Sequence, residues 1–155
     1  MIRAAKAEEM DAVRELFREY AELVGSAICF ESYAREMAEL PGRYSPPDGA
    51  LLLAFVAQTF SPAGCVALRQ IGDGVGEMKR LYIRPAFQGS GLGRLLTERI
   101  VAEAKANGYR LLRLDTLPKL ERAIALYRSL GFREIPPYGD NPPEAICFEL
   151  PLRVV

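Results

Sequence analysis

The chain of 155 residues is 50% hydrophobic and 26% charged, with 20 Lys and Arg set against 20 Asp and Glu. That size suits one domain over residues 1–155, the even charge offers nothing to draw a nucleic acid, and no apolar run is long enough to span a membrane. Histidine is absent, which removes Ser-His and Cys-His nucleophile pairs and His-ligated zinc; no metal is expected, and acid–base chemistry falls to Glu, Asp, Tyr, Lys, Cys or water.

The start, MIRAAKAEEMDAV, lacks the apolar core of a signal peptide, so a cytoplasmic location is expected. Residues 2–5 read as a short first strand. Met10, Val13, Leu16, Phe17, Tyr20, Leu23 and Val24 then recur at helical spacing, with Glu8 and Glu9 in the first turn, where the helix dipole favours them, and Gly25 at the end. A second helix is expected over 31–40, stopped by Pro41-Gly42, and the loop RYSPPDG (43–49) carries turn formers. ALLLAFVAQ (50–58) and GCVALRQI (64–71) are apolar runs with a short link, the pattern of an antiparallel hairpin. EMKRLYI (77–83) follows the turn Gly72-Asp73-Gly74 and ends at Arg84-Pro85. The period then changes: Leu92, Leu95, Leu96, Ile100 and Ala104 share one helical face, closed by Asn107-Gly108. A strand at 109–116, a helix at 121–130 capped by Gly131, and strands at 132–135 and 144–150 complete the chain. Cys29, Cys65 and Cys147 lie far apart among apolar neighbours and read as buried free thiols.

This order, β-α-α-β-β-β-α-β-α-β-β, predicts an α+β fold with a central mixed sheet of about seven strands flanked by about four helices. The crossover through helix 92–106 makes strands 77–83 and 109–116 parallel neighbours.

The stretch Gln88-Gly89-Ser90-Gly91-Leu92-Gly93 opens the helix at 92. The dinucleotide fingerprint G-x-G-x-x-G fails, because the third glycine falls on Arg94 or Leu96; the P-loop fails because Gly-Lys occurs nowhere. What remains is Q-x-x-G-x-G between a strand and a helix. Glycines let main-chain N–H groups approach an anion, the helix start adds partial positive charge, and Arg94 adds a full one. The competing reading is a tight turn that binds nothing.

The segment LYIRPAFQGSGLGRLLTERIVAEAKANGY resembles the acyl-CoA-binding core of the GNAT superfamily of acyl-CoA-dependent N-acyltransferases, with Gln88, Gly91 and Gly93 at its Q/R-x-x-G-x-G/A positions. ERAIALYRSLGFREI is similar to a second hallmark of that superfamily, a helix ending in tyrosine and then Leu-Gly-Phe. The resemblance implies acetyl-CoA as cofactor. Its pyrophosphate would meet the main chain of Gln88, Gly89, Ser90, Gly91, Leu92, Gly93 and Arg94, and its pantetheine would run along Leu81, Tyr82 and Ile83, where strands splay. A backbone N–H near Leu81 or Tyr82 is implied as the donor to the carbonyl oxygen. Many relatives carry Asn where this chain has Leu120, so that cofactor contact is in doubt.

An amine attacking a thioester must lose a proton, the carbonyl oxygen must be stabilised, and the thiolate must leave. In relatives the tyrosine matching Tyr127 protonates the thiolate; the competing reading is a ring packed with Leu120, Ala123 and Ile124 on one helical face. Glu77 is the candidate base, with a water chain as the alternative, since Lys79 on the same strand face would weaken it as a base. Arg84 and Arg99 read as solvated charge. Arg43, Tyr44 and Tyr138 are candidate acceptor contacts. The expected reaction is acetyl transfer from acetyl-CoA to a primary amine of a small molecule or amino acid, by direct attack in a ternary complex. Open beside it stand a protein N-terminal or lysine acetyltransferase and a non-catalytic acyl-CoA sensor. The partner expected is a small amine, with neither nucleic acid nor membrane, and a homodimer stays open.

Overall fold

The computed structural model describes residues 1–25, 30–57 and 59–153. Seven strands form one sheet: β1 (Ile2–Ala4), β2 (Ala50–Ala54), β3 (Gly64–Gly72), β4 (Val75–Ile83), β5 (Leu111–Thr116), β6 (Arg133–Ile135) and β7 (Ile146–Pro151). Their spatial order is β1-β2-β3-β4-β5-β7-β6. Every pairing is antiparallel except β4 with β5, which the α3 crossover makes parallel as expected. Helices α1 (Met10–Val24) and α2 (Phe30–Glu39) pack on one face, and α3 (Leu92–Ala106) and α4 (Glu121–Ser129) on the other.

Two-sided burial explains why β2 and β3 read as continuous apolar runs rather than alternating ones. Leu51, Leu53, Cys65 and Ala67 face α1, whereas Leu52, Ala54, Val66 and Leu68 face α3. Cys65 and Cys147 are free and buried, as expected; Cys29 lies outside the described residues.

Two helical details differ from the sequence reading. Leu95 is 52% exposed on α3, and Thr97 is buried in the stripe instead; its hydroxyl donates to the Gly93 carbonyl at 2.7 Å, which makes a polar residue acceptable there. Glu8 and Glu9 precede α1 in a 3₁₀ turn, Ala7–Glu9. Glu9 is held not by the dipole of α1 but by a two-pronged pair with Arg3, at 2.7 and 2.8 Å, which ties β1 to the helix start.

The site is made where the sheet opens. β4 and β5 pair only at Val75–Leu111, Gly76–Leu112 and Glu77–Arg113, and beyond that register the two strands part. On its other edge β4 carries a bulge. Cys65 pairs with Tyr82 and Ala67 with Lys79, so Arg80 and Leu81 together face Val66. Arg80 has φ +61°, the one positive φ among the described non-glycine residues, and such a backbone costs about 1–3 kcal/mol. Its side chain offsets this from the α1–α2 side: Nε donates to Glu36 at 3.0 Å, and the guanidinium lies over Phe17, Tyr20 and Tyr33 at 5.7–5.9 Å.

Candidate active site

The parting of β4 and β5 opens into a cavity of about 820 Å³. Its floor is Met78–Leu81 of β4 and Leu114–Thr116 of β5; its walls are α1, α2, α4 and the segment Asp140–Ala145. Tyr127 of α4 borders it, 4% exposed, with its ring 5.7 Å from Phe132 and 6.2 Å from Phe148. The ring is therefore packed in the core while its hydroxyl makes no hydrogen bond among the described residues. Burial pushes the Tyr127 phenol well above its ordinary value, with Tyr20 and Asp115 adding to the push. The group keeps its proton through the neutral range, the form a donor needs. Tyr20, across the cavity, is pushed up to about 12, chiefly by burial.

Thr116 at the end of β5 has a buried hydroxyl with no partner, the one such side-chain atom among the described residues. A buried polar group without a partner is unfavourable by about 1–3 kcal/mol, which is offset if a ligand supplies the missing bond. Next to it, Asp115 accepts from Asn141 Nδ2 at 2.9 Å and stands 3.5 Å from Lys79 Nζ.

Glu77 is placed differently from what its position in the sequence suggested. It is 2% exposed, does not border the cavity, and has both oxygens engaged. Oε1 accepts from Arg69 Nε at 2.8 Å, and Oε2 accepts from the Tyr138 hydroxyl at 2.6 Å. The cause is register. Arg69 pairs with Glu77, Glu77 with Arg113, Arg113 with Glu149, and Glu149 with Arg133, so one row of alternating charge crosses five strands. Opposite charges directly across strands stabilise a sheet. The row also pins the segment after β6: Tyr138 lies under the Arg113 guanidinium at 5.4 Å, and its phenol is pushed far up by burial and by Glu77. Asn141 completes the hold, accepting from the Tyr138 N–H at 2.6 Å.

The glycine turn is exposed on its outer side. Gly89 and Gly91 adopt φ +82° and +86°, where a side chain is strained, and the space a Cβ would take at either is open. Gly91 starts α3 with no side-chain cap, so the first N–H groups of the helix have no capping side chain as partner. Gln88 Nε2 donates to the Ile83 carbonyl at 3.0 Å, which fixes the turn to the end of β4, and Ser90 donates to the Phe87 carbonyl. Arg94 is exposed and donates to Ser129 at 2.8 Å on α4. The turn thus lies at the outer end of β4, and Tyr127 at the opening.

The remaining candidates divide. Leu81 borders the cavity, while Tyr82 turns its hydroxyl to Glu19 at 3.0 Å, leaving only its main chain near the opening. Ile83 packs against the α3 side. Leu120 borders the cavity and stands before the first turn of α4. Arg43 and Tyr44 line it too, but Arg43 donates to the Gln70 carbonyl at 2.6 Å and Tyr44 to Glu36. Arg84 is not a solvated charge: it binds Glu19 at 3.0 Å and Glu15 at 3.0 Å, clamping α1 to the end of β4. Arg99 is half exposed beside Glu103. Sequence reasoning missed Arg80, Asp115, Thr116 and Asn141, which only the bulge and the pairing of distant strands bring together.

Known proteins share the family and the fold. Residues 10–132 match the model of the acetyltransferase (GNAT) family. The chain is 38% identical to an uncharacterized N-acetyltransferase of Schizosaccharomyces pombe, over 87% of this chain and 83% of that one. It is 35% identical to an IAA acetyltransferase of Azospirillum brasilense, over 92% of each. Its fold superimposes with a TM-score of 0.74 on a phosphinothricin acetyltransferase of Sinorhizobium meliloti in complex with AcCoA, at 20% identity, covering 98% of this chain and 88% of that one.

Proposed function

The chain belongs to the acetyltransferase (GNAT) family, and from that premise we propose that it transfers the acetyl group of acetyl-CoA to a primary amine of a small molecule or amino acid, by direct attack in a ternary complex. The observation that carries this reading is the parting of β4 and β5 into a deep cavity, with an uncapped, glycine-entered helix at its outer end. Acetyl-CoA fits the residues present. The first N–H groups of α3 and the open turn at Gly89 and Gly91 would hold its diphosphate, Arg94 would flank it, and Leu81, Tyr82 and Ile83 would line the pantetheine route. The unpartnered Thr116 hydroxyl borders the same opening. Acetyl-CoA supplies an activated acyl group and a sulfur leaving group.

The chain's own groups do the rest. Tyr127 presents a protonated phenol at the opening and donates to the departing sulfur. Its raised pKa keeps the proton in place until the sulfur departs. Main-chain N–H groups at Leu81 or Tyr82, set by the bulge, receive the developing negative charge on the carbonyl oxygen. With both Glu77 oxygens engaged, the amine's proton leaves through the cavity to water.

The experiment is thiol release from acetyl-CoA across a panel of small primary amines and amino acids, with a peptide bearing a free N-terminus and an internal lysine as the contrast. Turnover confined to the small amines is expected. Turnover of the peptide alone points to a protein acetyltransferase, and stabilisation by acetyl-CoA without any thiol release points to a sensor.

A further inference from the structure

Lys79 and Asp115 face each other across the parting of β4 and β5, and both border the cavity. Neither is fully used. Lys79 makes no hydrogen bond among the described residues. Its two carboxylate neighbours stand at 3.5 Å and 3.9 Å, and the farther one, Glu77 Oε1, is already taken by Arg69. An ammonium 19% exposed with three donors free is an anion-binding group. Asp115 is lopsided: Oδ2 accepts from Asn141 at 2.9 Å, while Oδ1 accepts no hydrogen bond among the described residues. Of the other cations lining the cavity, Arg69 pairs with Glu77 and Arg80 with Glu36.

One spare cationic donor therefore stands beside one spare anionic acceptor. An amine without a carboxylate would satisfy Asp115 by drawing it from Lys79, leaving that ammonium only Glu77 at 3.9 Å, a carboxylate already shared with Arg69. A molecule carrying ammonium and carboxylate together satisfies both, through two charge-assisted hydrogen bonds. Resting on the transferase reading, we propose that the acceptor is an α-amino acid lying antiparallel to this pair, its ammonium on Asp115 Oδ1 and its carboxylate on Lys79 Nζ. Tyr127 and Asp115 border the same cavity.

The test uses matched acceptors, phenylalanine against phenethylamine and leucine against isopentylamine, with thiol release from acetyl-CoA as the readout. The wild-type chain is expected to favour the amino acid by about tenfold or more in kcat/KM, the scale of one charge-assisted bond. Lys79→Met brings the two members of each pair together, and Lys79→Gln does the same with less change of packing. Both variants keep the rise in melting temperature that acetyl-CoA produces. Asp115→Asn lowers both members of a pair, because each loses the partner of its ammonium. A wild-type preference for the amine without carboxylate, or a preference that survives both Lys79 variants, overturns the assignment. A chain stabilised by acetyl-CoA that releases thiol with neither kind of acceptor overturns the transferase reading itself, and this one with it.

Discussion

Glu77→Gln separates holding the sheet from moving a proton. The glutamate is 2% exposed and takes one bond from Arg69 and one from Tyr138. Glutamine keeps the shape. Its oxygen can face Arg69 and its NH₂ the Tyr138 oxygen, but the charge is lost and the Tyr138 hydroxyl hydrogen loses its acceptor. Bonds to a charged group are worth about 1.5–3 kcal/mol, and neutral ones about 1 kcal/mol. Arg69 is 26% exposed and recovers part of its hydration, so the net loss falls toward the low end, about 2 kcal/mol. With a urea slope of about 1–3 kcal/mol/M, the unfolding midpoint drops by about 1 M. Turnover by the folded variant, measured across pH, keeps the shape of the wild-type profile. Full stability together with collapsed turnover and a vanished acidic limb would refute this reasoning and return Glu77 to the role of base.

Tyr127→Phe should lower kcat by about 10²-fold while leaving the melting temperature level or raised, because the hydroxyl it removes has no hydrogen bond and the ring contacts with Phe132 and Phe148 remain. Undiminished turnover excludes the hydroxyl from the chemistry. Gly91→Ala forces a side chain into the left-handed region, a penalty of about 1–2 kcal/mol with no clash to add, and places a methyl where an anion would approach α3; a raised KM for acetyl-CoA with little change in acceptor KM is expected. The Arg3 hydrogen bond holds the Glu9 carboxylate at about 2, below its ordinary value. The stability it lends is therefore complete above about pH 4.5 and lost as pH falls toward 2, so the urea midpoints of wild type and Glu9→Gln, separate at neutral pH, converge in acid.

Local patterns were legible in the chain, and consequences of register were not. The α3 boundaries, Leu92 to Ala106, follow from a glycine entry, a 3.6-residue stripe and an Asn-Gly exit, all of which act within a few residues. The parallel pairing of β4 with β5 followed from the handed crossover. The bulge at Arg80 left no signal, because β4 is buried on both faces and its residues do not alternate cleanly enough to reveal a one-residue slip. Glu77 showed only Lys79 as a neighbour in the sequence because Arg69, Arg113 and Tyr138 come to it from other strands and a distant loop. Asp115 ended an ordinary strand until Lys79 and Asn141 were set beside it. Arg84 looked solvated for the same reason, its partners lying on α1.

The most direct measurement is a titration of isotope-labelled protein with acetyl-CoA, followed through the backbone amide resonances. Large shifts are predicted at Gly89, Ser90, Gly91, Leu92 and Gly93, and along the edges where β4 and β5 part, near Leu81 and Thr116, with β1 and the far end of β2 left still. Saturable shifts confined to another surface, with the turn before α3 unmoved, would contradict the account.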